Sequence, residues 1–116
     1  MAGAFDMHRT VVIAAFYLGF SALASAQDAK VAKGEAVFTD QKCTLCHSTG
    51  GHGNAKGPLD DVGSKLSADE IRQWITDAKG MAAKTKATRK PEMKQFSLPK
   101  GDVDALVAYL QMMKKK

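Results

Sequence analysis

Only two cysteines, three prolines and one tryptophan occur among the 116 residues of this chain. With Cys43 and Cys46 as the sole thiols, one short bridge between them would stabilise little, so disulfides cannot carry the fold. Aromatics are scarce. Beyond residue 26 only Phe38, Trp74, Phe96 and Tyr109 remain, a thin supply for a small domain that buries a modest share of its surface. Nothing alternates in the manner of a strand. Nor does any apolar run reach the about 20 residues of a membrane-spanning helix; the longest, Val11–Phe20, falls short even when stretched to Leu23. Acidic residues are in deficit, 12 against 17 Lys and Arg, for a net charge of +5.

The short apolar run has a different explanation. His8 and Arg9 precede it, and Ala24-Ser25-Ala26 follows it with the small-x-small pattern of a cleavage site. This arrangement predicts a secretory signal peptide over 1–26 and one domain over 27–116. With no cysteine beside the cleavage site, a lipoprotein anchor is not available. The expected destination is the periplasm, with no stable membrane insertion after cleavage; an uncleaved segment would instead act as an anchor. Loss of Arg9 and Asp6 with the leader leaves the charge balance unchanged.

What the chain does have is Cys43-Thr44-Leu45-Cys46-His47. C-x-x-C-H is the attachment signature of a c-type haem. Two thiols at this spacing can add to the two vinyl groups of one porphyrin, and the histidine is then held against the iron. A thioredoxin-like pair would need a strand–helix–strand setting, whereas helix-like sequence precedes this motif and glycine-rich sequence follows it. A structural zinc site would need a second well-spaced ligand pair, and only His47 and His52 are near. Thioether attachment takes place outside the cytoplasm, in agreement with the leader. One covalently held haem c would also supply the missing core, so the apo-protein is expected to fold poorly.

Three helices and long joins fit the remaining pattern. Val31, Gly34, Val37 and Phe38 share one side of a helix expected from about Asp28 to Thr39. Four glycines then mark Ser48–Gly57 as a loop, ended by Gly57-Pro58. Ser67-Ala68-Asp69-Glu70 reads as a capping box; Ile71, Trp74, Ile75 and Ala78 follow as an apolar face, with Gly80 as the expected stop. Val103, Leu106, Val107 and Leu110 form the stripe of a helix from about Lys100 to Met113. Between the last two helices Met81–Pro99 is expected to be a long loop. Loops of that length in a small domain are usually functional, and this one is expected to wrap the second face of the haem.

Methionine opposite histidine raises the potential of a haem. Met81, Met93, Met112 and Met113 are available beyond the leader. The last two sit at a helix end and read as packing thioethers. Loop position favours Met93, after Pro91 and ahead of Phe96, over Met81, but leaves both open.

The order of these features resembles a class I bacterial cytochrome c domain over about Asp28–Met113. Cys43–His47, Gly57-Pro58-Leu59, Met93-Lys94-Gln95-Phe96 and Leu106-Val107-Ala108-Tyr109-Leu110 stand in the family's order. The resemblance implies an all-α class I cytochrome c fold, with three main helices and long loops wrapped around one haem. It implies His47 and Met93 as iron ligands, and contact of Gly34 and Phe38 with the Leu106/Tyr109 face. By the same route the Pro58 carbonyl is expected to accept a hydrogen bond from Nδ1 of His47. Trp74 is open between a hydrogen bond to a haem propionate and ordinary helix packing. His52 has no expected role. Lys94 stands where the family often has proline.

With both axial positions filled, the expected function is one-electron transfer and not enzyme catalysis. Lys79, Lys84, Lys86, Arg89, Lys90 and Lys94 cluster around the methionine loop, with Glu92 their only acidic neighbour. Such a patch would steer redox proteins with acidic docking surfaces rather than nucleic acid. A monomer is expected. Two alternatives are a haem sensor or peroxidase-like protein with an open distal site, and an electron-transfer subunit of an exported dehydrogenase or oxidase.

Overall fold

The computed structural model describes residues 7–115, with side chains from residue 23 onward. Helix α1 spans Met7–Asp40 and a 3₁₀ turn spans Cys43–Leu45. Strands β1 (Ser48–Thr49) and β2 (His52–Gly53) follow, then α2 (Val62–Lys65), α3 (Ala68–Thr76), α4 (Ala78–Thr85) and α5 (Lys100–Gln111). Among the described residues the fold is all-α apart from one two-residue antiparallel pairing, Ser48 with Gly53 and Thr49 with His52, and an isolated parallel bridge of Ser48 to Pro58. The strands had no sequence signal because each is only two residues long.

Helix α1 ends within one residue of the expected Thr39, but it begins far earlier than Asp28. Its sequence is rich in alanine and contains no proline, so nothing local stops the helix at the leader boundary. The first residues of the expected leader, and the side chains of its apolar run, lie outside what is described. Among the described residues no helix is long and apolar enough to cross a membrane.

The core forms where α1 crosses α5. Val37 and Phe38 meet Val103, Leu106, Val107 and Leu110, and Ile71 and Ile75 of α3 close the cluster. The stripe expected on α5 is therefore the buried one. Gly34 sits at the crossing point: a Cβ there would lie 2.6 Å from Cβ of Tyr109 and closer still to the Ala105 carbonyl. Phe38 and Tyr109 stack tilted, their centroids 5.6 Å apart. The C-terminus is tied down as well, with Gly63 N–H donating to the Met113 carbonyl at 2.7 Å.

The capping box forms as expected. Glu70 N–H donates to Ser67 Oγ at 3.2 Å, and Ser67 N–H to Glu70 Oε2 at 3.1 Å. The far end of the same segment differs from expectation. Helix α3 stops at Thr76, Asp77 breaks it with φ −144° and ψ 56°, and α4 begins at once. Gly80 does not terminate a helix; its N–H donates to Oδ1 of Asp77 at 3.1 Å, in the first turn of α4. Aspartate at a junction offers the backbone a side-chain acceptor, which favours a cap over continuation. The irregular loop is consequently shorter than Met81–Pro99 and starts at Lys86, whose φ is 56°.

Candidate functional site

The Cys43–His47 segment is a single compact turn. Lys42, in left-handed conformation at φ 56° and ψ 37°, ends the α1 direction and starts the 3₁₀ turn. Cys46 and His47 both donate their N–H groups to the Cys43 carbonyl, at 3.2 and 2.9 Å. Cys43 is half-buried against the core while Cys46 is exposed. Burial pushes the Cys43 thiol above its ordinary range, against smaller opposing effects from a backbone hydrogen bond and Lys94.

His47 is held by the glycine loop. Its Nδ1 lies 3.1 Å from the carbonyl of Gly57. That carbonyl also accepts from Ser48 N–H at 3.0 Å. The acceptor is therefore Gly57 and not Pro58. The reason is the short parallel bridge between Ser48 and Pro58, which sets the loop one residue out from the expected register. Because a carbonyl only accepts, Nδ1 must carry the proton, and Nε2 presents its lone pair. Burial lowers the His47 pKa, the Gly57 carbonyl acts to raise it, and the charge of Arg89 lowers it further. The neutral ring this favours is the form that binds a metal.

One residue the sequence reading passed over braces this turn. Asn54 N–H donates to the carbonyls of Thr44 and His47 at 3.1 and 3.0 Å, and its Nδ2 donates to the Leu45 carbonyl at 3.1 Å. Asparagine in a glycine-rich loop was the available signal, since its side chain readily bonds nearby backbone.

Above the turn lies a cavity of about 880 Å³. Its lining includes Phe38, Leu59, Leu66, Ile75, Phe96, Leu106 and Leu110 together with Cys43, Cys46, His47, Pro58, Trp74 and Met93. All six expected site residues thus meet in one space. Met81 does not line it; it is buried at 5% exposure elsewhere. Met112 and Met113 are absent from the lining too, and Met112 is 62% exposed. Two thiols, an imidazole nitrogen, a thioether and apolar walls form a donor set and shape that fit a covalently held haem. Lys56, Lys65, Arg89 and Lys90 add positive charge to the lining, which suits a group carrying propionates.

The basic cluster divides on inspection. Arg89 donates from Nη2 to the Cys46 carbonyl at 2.5 Å, and Lys90 pairs with Glu92. Lys94 lies over the Phe96 ring, 5.0 Å from its centroid. Lys84 and Lys86 form no ion pair among the described residues. Not all six charges are equally free to meet a partner.

A family model described as cytochrome c matches residues 31–114. Cytochrome c oxidase subunit 2 of Alkalihalophilus pseudofirmus is 28% identical over 91 residues, covering 71% of this chain and 25% of that protein. The chain thus spans about a quarter of the length of that relative. No solved structure gives a significant match.

Proposed function

Since the chain belongs to the cytochrome c family, a haem-binding, electron-transferring family, we propose that it is an exported one-electron carrier whose iron is ligated by His47 and Met93. The observation that carries this reading is the single cavity lined by Cys43, Cys46, His47 and Met93. The haem, when bound, supplies one-electron exchange between Fe(III) and Fe(II).

The chain's own residues do the rest. Cys43 and Cys46 would hold the group through thioethers, with the 3₁₀ turn between them keeping the two thiols close. Gly57 fixes the His47 ring so that Nε2 is the donor, and the bond to Nδ1 raises that nitrogen's basicity. Met93 supplies a soft thioether that favours the reduced iron and raises the potential. Phe38, Leu106, Leu110 and Phe96 exclude water from the site, which lowers the local dielectric and limits reorganisation. Trp74 lines the same space, and its indole N–H would be available to a propionate. If His47 and Met93 both hold the iron, as their shared cavity allows, no position would be left for a substrate, and the protein would act as a carrier rather than an enzyme.

The leader is part of the same proposal. Side chains 23–30 are exposed, so cleavage after Ala26 would remove none of the described core. The product is a periplasmic monomer of residues 27–116. Lys84 and Lys86, with Lys79 and Lys94, steer acidic redox partners toward the loop that carries Met93.

The absorption spectrum of the oxidised holoprotein tests the ligation. A weak far-red band marks thioether coordination to ferric iron; its absence would replace the carrier with an open-site sensor or peroxidase-like protein. A second reading follows from the relative, whose printed name is an oxidase subunit. This chain would then serve as the electron-transfer subunit of an exported complex, and copurification with a larger assembly from the native membrane fraction would establish it.

A further inference from the structure

We propose that Arg89 is a positioning residue, a latch that fastens the Met93 loop to the Cys43–His47 turn across the mouth of the cavity. The inference rests on Met93 as the iron ligand. The loop runs from Lys86 to Pro99, and its backbone anchors lie on its own side of the cleft. Ala87 N–H donates to the Ala82 carbonyl of α4 at 2.9 Å, and Phe96 N–H to the Ile75 carbonyl of α3 at 3.1 Å. Between these anchors the side chain of Lys90 bonds only its near neighbour Glu92, among the hydrogen bonds of the described residues.

Arg89 alone reaches the opposite wall, among the hydrogen bonds of the described residues. Its Nη2 donates to the carbonyl of Cys46, the second thiol-bearing residue. The guanidinium lies against Gly57, where a Cβ would stand 2.9 Å from Cζ of Arg89 and closer to Nη1. Gly57 is not in left-handed conformation, so backbone strain does not account for a glycine there. The close approach of Arg89 and of the Cys46 carbonyl does. One side chain therefore touches the residue that attaches the group and the residue that orients His47, while its own backbone leads four positions on to Met93. A planar fork suits this slot in a way a flexible ammonium does not.

Loss of such a charge-assisted bond, exposed at the cavity mouth and so worth on the order of tenfold on an equilibrium, should free the loop without removing a ligand. The experiment titrates ferric holoprotein with imidazole, which can occupy the iron only when Met93 leaves. Arg89→Gln should bind imidazole about tenfold more tightly than the parent, with the far-red band still present in the free protein. Hydrogen exchange in residues 87–95 should quicken while that of α5 stays unchanged. Arg89→Lys keeps the charge without the fork and should recover less than half of the loss. Lys30→Gln, which removes a charge outside the site, should leave the affinity as it was. Unchanged imidazole affinity and unchanged exchange in Arg89→Gln would overturn the latch, as would full recovery by lysine, which would make charge alone the cause. If the parent itself lacked the far-red band, the Met93 assignment would fail, and that result is separate from any effect of Arg89.

Discussion

Gly34 of α1 and Tyr109 of α5 meet so closely that a Cβ on the glycine would lie 2.6 Å from that of the tyrosine. The approach seats Phe38 against the Tyr109 ring and brings α1 and α5 together at one wall of the cavity. Gly34→Ala must push the helices apart. Overpacking of this kind costs about 1–3 kcal/mol, despite alanine's better helix propensity. Thermal melting of the holoprotein should show the loss, and a melting point at or above the parent's would mean the crossing tolerates a side chain.

The two internal methionines separate ligand from core. Met93→Ala should abolish the far-red band and lower the reduction potential, because a thioether favours reduced iron. Met81→Ala should keep the band and the potential but lose about 2–5 kcal/mol of stability, the usual cost of truncating a buried methionine to alanine. Redox potentiometry and denaturant melts on both variants decide the matter; exchanged phenotypes would move the ligand to Met81.

Haem should remain on the polypeptide through denaturing electrophoresis, and either Cys43→Ala or Cys46→Ala should sharply reduce holoprotein. His52→Ala should leave the spectrum unchanged, since that side chain is exposed and does not line the cavity. Mass spectrometry of the same material should give an N-terminus near Gln27. Haem released as the free cofactor would contradict covalent attachment.

Asp104 joins two helices, accepting from Arg72 of α3 at 2.7 Å and from Lys100 of its own helix at 2.8 Å. The hydrogen bond from Lys100, then that from Arg72, hold its carboxyl below the usual range. A lowered folded-state value means the unfolded chain takes up the proton first. The stabilisation is therefore complete above the unfolded value and is lost as pH falls through the folded one. Asp104→Asn should melt slightly lower than the parent near pH 7 and match it in strong acid, where both side chains are neutral. A gap that persisted in acid would point to packing rather than charge.

Charge reversal tests the docking surface. Lys84→Glu with Lys86→Glu should slow electron transfer from an acidic partner at low ionic strength and leave the spectrum intact. The effect should fade as salt rises, since screening shortens to about 8 Å near physiological strength, and it should fall mainly on the association rate. Lys30→Glu is the better control than Lys33, which is paired with Asp102 at 3.1 Å. Equal slowing by the control would show that net charge alone matters.

What could be read without the fold was whatever is set by neighbours along the chain. Cys43, Cys46 and His47 share one turn, so five residues suffice to declare the attachment site. The Ser67–Glu70 box closes within four residues, and the α5 stripe is written in its own period. Contact of Gly34 with the Leu106/Tyr109 face was implied only by the family resemblance, since a glycine inside a helix can equally mark a local weakness. The remainder depended on which of two local arrangements wins, or on where more distant segments come to lie. The break at Asp77 turned on one carboxylate capping a new helix in preference to prolonging the old one. The carbonyl facing His47 belongs to Gly57 because pairing of Ser48 with Pro58 sets the register of the loop. Arg89 looked like one more surface charge until its guanidinium was found against the Cys46 carbonyl, 43 positions away. Local spacing encodes contacts the backbone makes with itself over a few residues; the contact of Arg89 with Cys46 and the place of Met93 in the cavity wall exist only once the helices have packed and drawn their loops around a common space.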